Sequence, residues 1–229
     1  KTHILSGVAA CEEFELFETM AWSTNDGASN LDLHFKRMAK SAKYFGMPFD
    51  PARARAAIAQ AKADCVRASS ATRFRLRLSL AGDGAYTATL QPFRNQTDGT
   101  QPVAVAPSPV SSRDPTLAHK TNQRQVYKRA REEVKSACGE GVEPLLVNER
   151  GEITETDIAN VVYQLDGQNY TPPMRCGLLP GVLRESLLES DELQERVLLA
   201  EDLAGVERLY LINDLRGWRK AQLLGIKTA

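Results

Sequence analysis

The stretch YTPPMRCGLLPGVLRESLLES, residues Tyr170–Ser190, carries the strongest signal for the fold in this 229-residue sequence. Its second half passes through Pro180-Gly181 directly into an apolar pattern of helical spacing. The first backbone N–H groups of a helix lack intrahelical partners and lie at the positive end of the helix dipole. The stretch therefore predicts an anion site where this helix begins, although an ordinary helix start gives the same pattern.

A second feature lies upstream in TLAHKTNQRQVYKRAREE, residues Thr116–Glu133. From Gln125 onward the pattern predicts an exposed helix, and Lys120 stands just before it, where the chain leaves a loop. A lysine is rarely buried unless it is paired, so a solvated surface cation is the ordinary interpretation of Lys120. The alternative is a buried amine with a chemical role.

A third feature is GEITETDIANVVY, residues Gly151–Tyr163, which reads as short strands joined by turns. An acid in such a hairpin normally faces solvent, and this is the ordinary interpretation of Glu155. Each of the three features is weak alone.

Composition excludes several classes of protein. Lys plus Arg and Asp plus Glu both number 29, so no excess of cations exists to meet nucleic-acid phosphates. With 42% hydrophobic residues, no apolar run of membrane-spanning length and no secretory signal, the sequence predicts a cytoplasmic globular protein that is not membrane-bound. The four cysteines are scattered and expected to be reduced, and only three histidines occur, so neither a metal site nor a Ser-His-Asp triad is expected.

The remaining elements indicate a mixed α/β protein with two lobes. FELFETMAW (Phe14–Trp22) alternates as a strand, and an amphipathic helix follows it and ends at Gly46. A second helix begins at Asp50-Pro51, and RFRLRLSLAGDGAYTATLQPF (Arg73–Phe93) predicts a hairpin. We predict an N-terminal lobe over residues 1–106, a Pro- and Ser-rich linker over 107–117 and a C-terminal lobe over 118–229.

Taken together, the three features resemble the signature of the class IV aminotransferases, the fold-type IV enzymes of pyridoxal 5'-phosphate (PLP). In that family the lysine that binds PLP covalently lies about 35 residues before the signature glutamate, the distance from Lys120 to Glu155 here. The helix HFKRMAKSAKYFG resembles a family helix whose arginine contacts the cofactor phosphate. The matching residues are Arg37, Lys120, Glu155, Asn160, Thr171-Pro172, Leu179, Gly181-Val182 and Arg184.

The resemblance implies the family's fold, a small α/β lobe and a pseudo-barrel lobe with PLP between them. Lys120 is then the covalent anchor, and Glu155 faces the pyridine nitrogen, with Asn160 beside the cofactor. The phosphate rests on the backbone N–H groups of Val182 and Leu183, with help from Arg37. These assignments follow from the family and not from composition or spacing.

Within the family, FETMAW, HKTNQR, TPPMRCGLLPGVLRESLLE and LINDLRGW are similar to the aminodeoxychorismate lyases, in particular those fused behind component I of aminodeoxychorismate synthase. The similarity implies conversion of 4-amino-4-deoxychorismate to 4-aminobenzoate and pyruvate for folate biosynthesis, in a homodimer. Lys120 is also the general base in this reading. Thr19 is a candidate proton donor to the leaving pyruvate, and Arg124 is a candidate contact of a substrate carboxylate. A strand-edge threonine and a helix-face cation are the ordinary interpretations of these two.

Three positions depart from the family pattern. Ala21 stands where the family commonly has Arg, Asp157 where it has a small residue, and Asp214 where it has Ser near the phosphate. Two other functions stay open: a class IV aminotransferase acting on branched-chain or D-amino acids, and a domain without enzymatic activity. The short N-terminal part before Phe14 and the absence of an initial Met lead us to expect the C-terminal portion of a fusion.

Overall fold

The computed structural model describes residues 13–68, 71–94 and 99–225 of the chain, which forms two lobes, each built on its own sheet. The mixed α/β class predicted from the sequence is confirmed. In chain order the elements are β1 (Glu15–Ser23), β2 (Gly27–Ala28), α1 (Leu31–Phe45), α2 (Pro51–Ala68), β3 (Arg73–Ala81), β4 (Tyr86–Pro92), β5 (Gln101–Val105), α3 (Gln125–Cys138), β6 (Glu143–Val147), β7 (Ile153–Thr156), β8 (Asn160–Leu165), β9 (Gln168–Thr171), α4 (Val182–Glu189), β10 (Gln194–Glu195), β11 (Arg208–Asn213) and β12 (Gly217–Leu223).

The N-terminal lobe is an antiparallel sheet in the order β2-β1-β3-β4, with α1 and α2 packed on one face. Strand β3 alternates as the sequence predicts, because every second residue is apolar and strand side chains point to opposite faces. Helix α1 ends at Gly46, whose positive φ of 66° suits glycine. The members of the core from β3, all fully buried, are Phe74, Leu76, Leu78 and Leu80.

The C-terminal lobe is a sheet closed into a barrel. Its eight strands run in the order β10-β9-β8-β11-β12-β5-β6-β7, and an additional pairing of β7 with β8 closes six of them into a ring. Helix α3 packs on the outside against β5 and β6, and α4 packs against β8 and β11. The residues that fill the barrel include Leu145, Ile153, Val161, Tyr163 and Leu211.

The boundary between the lobes differs from the prediction of a first lobe ending at residue 106. Strand β5 runs parallel to β6 and β12 and belongs to the C-terminal sheet. Its pairing partners lie about 40 and 120 residues later in the chain, so the composition of the following Pro-rich segment could not reveal them.

The lobes are joined at the edge of β1. Strand β2 pairs with β1 only at Trp22 and Ser23, which leaves the Glu15–Phe17 edge open for other hydrogen bonds. The N–H of Phe17 donates to the carbonyl oxygen of Lys120 at 3.0 Å, and the N–H of Asn122 donates to that of Glu15 at 3.1 Å. These bonds fix the backbone of Lys120 against the N-terminal sheet.

None of the helices in the described ranges is long and apolar enough to cross a membrane. Cys65, Cys138 and Cys176 are free thiols, and Cys11 lies outside the described residues.

Candidate active site

Lys120 lies between the lobes with its amine on the wall of a cavity. The segment before it is a short 3-10 turn, Pro115–Ala118, and α3 begins five residues after it. Its Nζ atom lies 5.0 Å from the centroid of the Phe17 ring. Burial lowers the pKa of the Lys120 amine to about 7, and the nearby charges of Arg37 and Arg124 act in the same direction. An ordinary surface lysine does not have these surroundings.

Glu155 is buried at the end of β7, only 4% exposed, and does not face solvent as an ordinary hairpin acid does. Its Oε1 accepts hydrogen bonds from the hydroxyl of Tyr127 (2.8 Å) and the N–H of Leu179 (3.1 Å). Its Oε2 accepts from Nδ2 of Asn160 at 3.2 Å. Burial raises the pKa of Glu155 to about 7, although these bonds and the charge of Lys120 oppose the rise.

The Lys120 amine and the Glu155 carboxylate line the same space, which we call the inner cavity. The charge of each group shifts the pKa of the other toward its ionised form, which is the effect of opposite charges at close range. The inner cavity is also lined by Thr19, Arg37, Arg124, Tyr127, Asn160 and Val182.

One end of the inner cavity is the start of α4. Gly181 is the N-cap residue and no side chain caps the helix, so the first N–H groups have no intrahelical acceptor. Asn160 Nδ2 donates to the carbonyl oxygen of Leu179 at 2.9 Å and holds the approach to the helix. A Cβ atom on Gly181 would lie 1.8 Å from Oδ1 of Asn160, so only glycine allows this close approach. This end can accept an anion.

Replacing Gly181 with alanine is expected to displace Asn160 from both Leu179 and Glu155. Overpacking of this kind costs on the order of 1–3 kcal/mol, and the lost hydrogen bond to Glu155 disturbs the cavity wall. We expect a lower thermal unfolding midpoint together with weaker cofactor binding in fluorescence titration. The matched control is Gly205→Ala, where a Cβ atom meets nothing within 4 Å. Equal behaviour of the two variants would contradict the close contact.

Arg37 of α1 lines the inner cavity but is held by Glu18 of β1. Its Nε donates to Glu18 Oε1 at 2.9 Å, its Nη2 donates to Glu18 Oε2, and its Nη1 donates to the carbonyl oxygen of Pro180 at 2.9 Å. The ring nitrogens of His34 contact Oε2 of Glu18 (2.7 Å) and Oδ2 of Asp214 (3.1 Å). A buried chain of charges therefore joins α1 to the β11–β12 turn of the other lobe.

The charges in this chain are balanced. Burial raises the pKa of Glu18, but Arg37 and His34 outweigh it and bring the pKa to about 2. Burial lowers the pKa of His34, but its bonds to Asp214 and Glu18 outweigh it and raise the pKa. Burial also raises the pKa of Asp214, but its hydrogen bonds, above all the one from His34, outweigh burial and lower the pKa. The carboxylates of Glu18 and Asp214 are thus paired with the cations of Arg37 and His34. The negative charge of Asp214 is therefore neutralised although this residue lies near the anion site.

A second space, which we call the outer cavity, adjoins the inner one. Thr19, Lys120 and Arg124 line both cavities, so the amine stands where the two meet. Arg124 stacks on the ring of Tyr127, 4.4 Å from its centroid, and its Nη2 donates to the carbonyl oxygen of Asp157. The outer cavity is also lined by Phe17, Arg75, Arg77 and Arg216.

The structure brings together nearly all the residues that the sequence predicted for the site. Their roles stay predictions, because contacts alone do not show binding. Leu183 does not line the inner cavity: its side chain packs toward β8 and β11, and only its backbone N–H is available at the helix start. The residues placed in the inner cavity are Thr19, Arg37, Lys120, Arg124, Glu155, Asn160 and Val182.

Sequence reasoning missed the partners that hold these residues. Tyr127 lies in the first turn of the predicted helix after Lys120, and this closeness in sequence to the lysine is a signal that could have identified it. Glu18 and His34 lie within the two motifs already noted, but nothing in their spacing shows that they meet. Asp157 is the remaining departure: its Oδ2 accepts from Nε of Arg131 at 2.6 Å, and burial raises its pKa.

Comparisons with known proteins agree with this geometry. The sequence profile of the family "Amino-transferase class IV" matches residues 15–224. A Schizosaccharomyces pombe protein named "Putative aminodeoxychorismate lyase" is 30% identical over 218 residues, 93% of this chain and 91% of the relative.

Solved structures are also similar to this chain, among them the following two. One, named "Putative amino-acid aminotransferase" from Mesorhizobium loti, is 38% identical with a TM-score of 0.82, covering 93% of this chain and all of that chain. The other, a "Putative 4-amino-4-deoxychorismate lyase" from Legionella pneumophila, is 21% identical with a TM-score of 0.79, covering 93% and 84%, and shows the fold alone. With its lysine and carboxylate facing one cavity between two lobes, the chain belongs to the class IV aminotransferase family.

Proposed function

We propose that this protein is a PLP-dependent carbon–oxygen lyase that converts 4-amino-4-deoxychorismate to 4-aminobenzoate and pyruvate. The observation that carries the proposal is the position of Lys120 at the junction of two unlike cavities. The inner cavity offers a buried carboxylate and a helix start that can accept an anion, whereas the outer cavity is lined by arginines. The first suits a flat anionic cofactor, and the second suits a dicarboxylate substrate.

The residues of the inner cavity fit PLP. Lys120 supplies an amine whose pKa of about 7 leaves a substantial neutral fraction for covalent attachment. Glu155, held in place by Tyr127 and by the N–H of Leu179, supplies a buried carboxylate for the pyridine nitrogen. The free N–H groups at the start of α4 supply donors for the phosphate. When bound, PLP provides an electron sink for the substrate carbon next to the amine.

Lys120 also has the properties of the proton acceptor. The reaction removes the proton from C4 of the substrate, and an amine with a pKa near neutrality can both accept this proton and release it. The C3–O bond then breaks, and the electron pair left by the C4 proton becomes part of the aromatic ring of 4-aminobenzoate. The C4 hydrogen must therefore lie within reach of Nζ, where the two cavities meet.

The leaving enolpyruvate takes the oxygen with it and needs one proton to become pyruvate. Thr19 lines both cavities beside Lys120, and its hydroxyl makes no hydrogen bond within the described part of the chain. It is therefore available to deliver that proton. Arg124 borders the same opening and adds a positive charge on the side where the carboxylates enter.

A class IV aminotransferase is the second candidate, and the 38% identity to the Mesorhizobium loti protein named as an aminotransferase favours it. Both activities use the same inner cavity. They differ in the outer one, because a branched-chain amino acid requires apolar walls for its side chain. Among the described residues of this chain, four arginines line the outer cavity: Arg75, Arg77, Arg124 and Arg216.

The test is to supply PLP-loaded protein with 4-amino-4-deoxychorismate and no 2-oxo acid. We expect repeated turnovers that release pyruvate and 4-aminobenzoate in equal amounts, since the elimination needs no second substrate. Both products are measured, pyruvate by a coupled dehydrogenase and 4-aminobenzoate by its fluorescence. Turnover only after a 2-oxo acid is added would establish the aminotransferase instead.

We propose further that the protein acts in the cytoplasm, in folate biosynthesis, as a homodimer, either fused to or associated with aminodeoxychorismate synthase. These points rest on the family resemblance. Light scattering of the purified protein measures the oligomeric state, and a monomer with full activity would contradict the dimer.

A further inference from the structure

Strand β3 presents two arginines to the outer cavity. Its even-numbered residues are fully buried in the core of the N-terminal lobe, so Arg75 and Arg77 lie on the opposite face. Both line the outer cavity together with Lys120. Alternate residues of a strand lie about 6.5–7 Å apart, and the two guanidinium groups therefore start from neighbouring positions above the same opening.

Arg77 contacts the same aromatic ring as the Lys120 amine. Its guanidinium carbon lies 3.9 Å from the centroid of the Phe17 ring, the same ring that Lys120 Nζ approaches at 5.0 Å. Glu15 accepts one hydrogen bond from Nη2 of Arg77 at 2.5 Å and holds that end of the side chain. A guanidinium has five N–H donors, and no other acceptor for those of Arg77 occurs within residues 13–68, 71–94 and 99–225. Arg77 is anchored but retains donors for a ligand.

Arg75 stands one step further out on the same face. Its Nη2 donates to Oε1 of Gln91 at 2.5 Å, which again leaves donors available. Its direct cross-strand neighbour on β1 is Ala21, and that of Arg77 is Thr19. Directly paired residues of an antiparallel sheet share a face, with Cβ atoms about 4.5–5.5 Å apart. The small Ala21 side chain leaves the Arg75 guanidinium room to turn toward the opening.

We propose that Arg77 and Arg75 bind the two carboxylates of the substrate, so that strand β3 orients a dicarboxylate over Lys120. The proposal deepens and rests on the proposed function, because that reaction supplies the substrate with two carboxylates. Arginine pairs with a carboxylate through two parallel N–H donors, which sets orientation as well as affinity. The pair on β3 selects a dicarboxylate over a monocarboxylate of the same size.

The experiment measures binding of chorismate to the PLP-loaded protein by calorimetry. Chorismate carries both carboxylates but a hydroxyl in place of the 4-amino group, so it binds without reacting at Lys120. A charged hydrogen bond contributes about 1.5–3 kcal/mol, so Arg77→Met and Arg75→Met are each expected to weaken binding about 10- to 100-fold. Arg73→Met is the matched control, because Arg73 shares the strand and face but does not line the cavity.

A rescue variant tests the geometry itself. Ala21→Arg in the Arg75→Met background places a guanidinium on the same face from the facing strand, and we expect it to restore at least half of the lost binding free energy. Circular dichroism and the unfolding midpoint check that each variant is folded. Unchanged chorismate binding in both Arg77→Met and Arg75→Met would overturn the proposal, as would an equal loss in Arg73→Met.

The outcomes separate this assignment from the proposed function. Arginine-dependent binding of chorismate without pyruvate release from 4-amino-4-deoxychorismate would leave the anchors standing and remove the lyase. Normal pyruvate release by both arginine variants, at unchanged KM, would leave the lyase standing and remove the anchors.

Discussion

Replacing Lys120 with alanine is expected to reduce turnover of 4-amino-4-deoxychorismate by a factor on the order of 10⁴. In the proposed function Lys120 is both the covalent anchor of the cofactor and the proton acceptor, and no other lysine lines either cavity among the described residues. Borohydride reduction of the wild-type protein followed by peptide mapping should place the cofactor on Lys120. In the variant the same treatment should give no stable adduct.

Two controls make this result specific. Lys128→Ala removes an exposed lysine from the same helix region and should leave both turnover and labelling unchanged. Methylamine added to Lys120→Ala should restore part of the activity, because the deleted side chain leaves room for a small amine at the same position. An adduct on another lysine, or wild-type turnover by Lys120→Ala, would refute the assignment of the amine.

Replacing Glu155 with glutamine is expected to lower turnover by about 10²–10³-fold, the range for loss of one preorganised electrostatic group. The amide keeps the shape of the carboxylate and can still accept from Tyr127. It cannot supply the negative charge that holds a proton on the pyridine nitrogen. Because Lys120 is intact, the variant should still bind PLP covalently, while the visible absorption band of the bound cofactor shifts.

Tyr127→Phe is the graded control for Glu155. It removes one hydrogen bond to Oε1 but leaves the carboxylate, so we expect a loss of about tenfold, corresponding to roughly 1–1.5 kcal/mol. Glu132→Gln, at an exposed position of α3, should have no effect. If Glu155→Gln retains wild-type turnover and an unshifted absorption band, Glu155 is not the partner of the cofactor nitrogen.

Much of the candidate site could be predicted because its residues lie in short sequence motifs whose order along the chain can be read directly. The order of Lys120, Glu155 and the Pro180-Gly181 helix start indicated one shared site, and the structure places the amine and the carboxylate on one cavity wall. The alternation in β3 indicated a strand with one buried face. The position of β5 was predicted wrongly, because its partners are set by pairing between distant segments and not by the segment itself.

The side chains that hold the predicted residues in place could not be predicted from the sequence. That Glu18 holds Arg37, and that His34 reaches Asp214, depends on contacts between residues as many as 180 positions apart. Loop closure over such distances leaves no trace in spacing or periodicity. The pKa shifts of Lys120 and Glu155 are likewise effects of burial, which is known only once both lobes have closed around them.

The amino-acid sequence alone was enough to identify the fold class, the order of most elements and the residue types of the candidate site, because periodicity and motif order are properties of neighbouring residues. Only the folded chain decided the register that sets Arg75 opposite Ala21 and Arg77 opposite Thr19. A shift of one residue in that pairing would bury both arginines and expose the apolar residues that alternate with them, such as Leu76 and Leu78. The core of the N-terminal lobe excludes that shift, and in doing so it places the two cations on the face that lines the outer cavity.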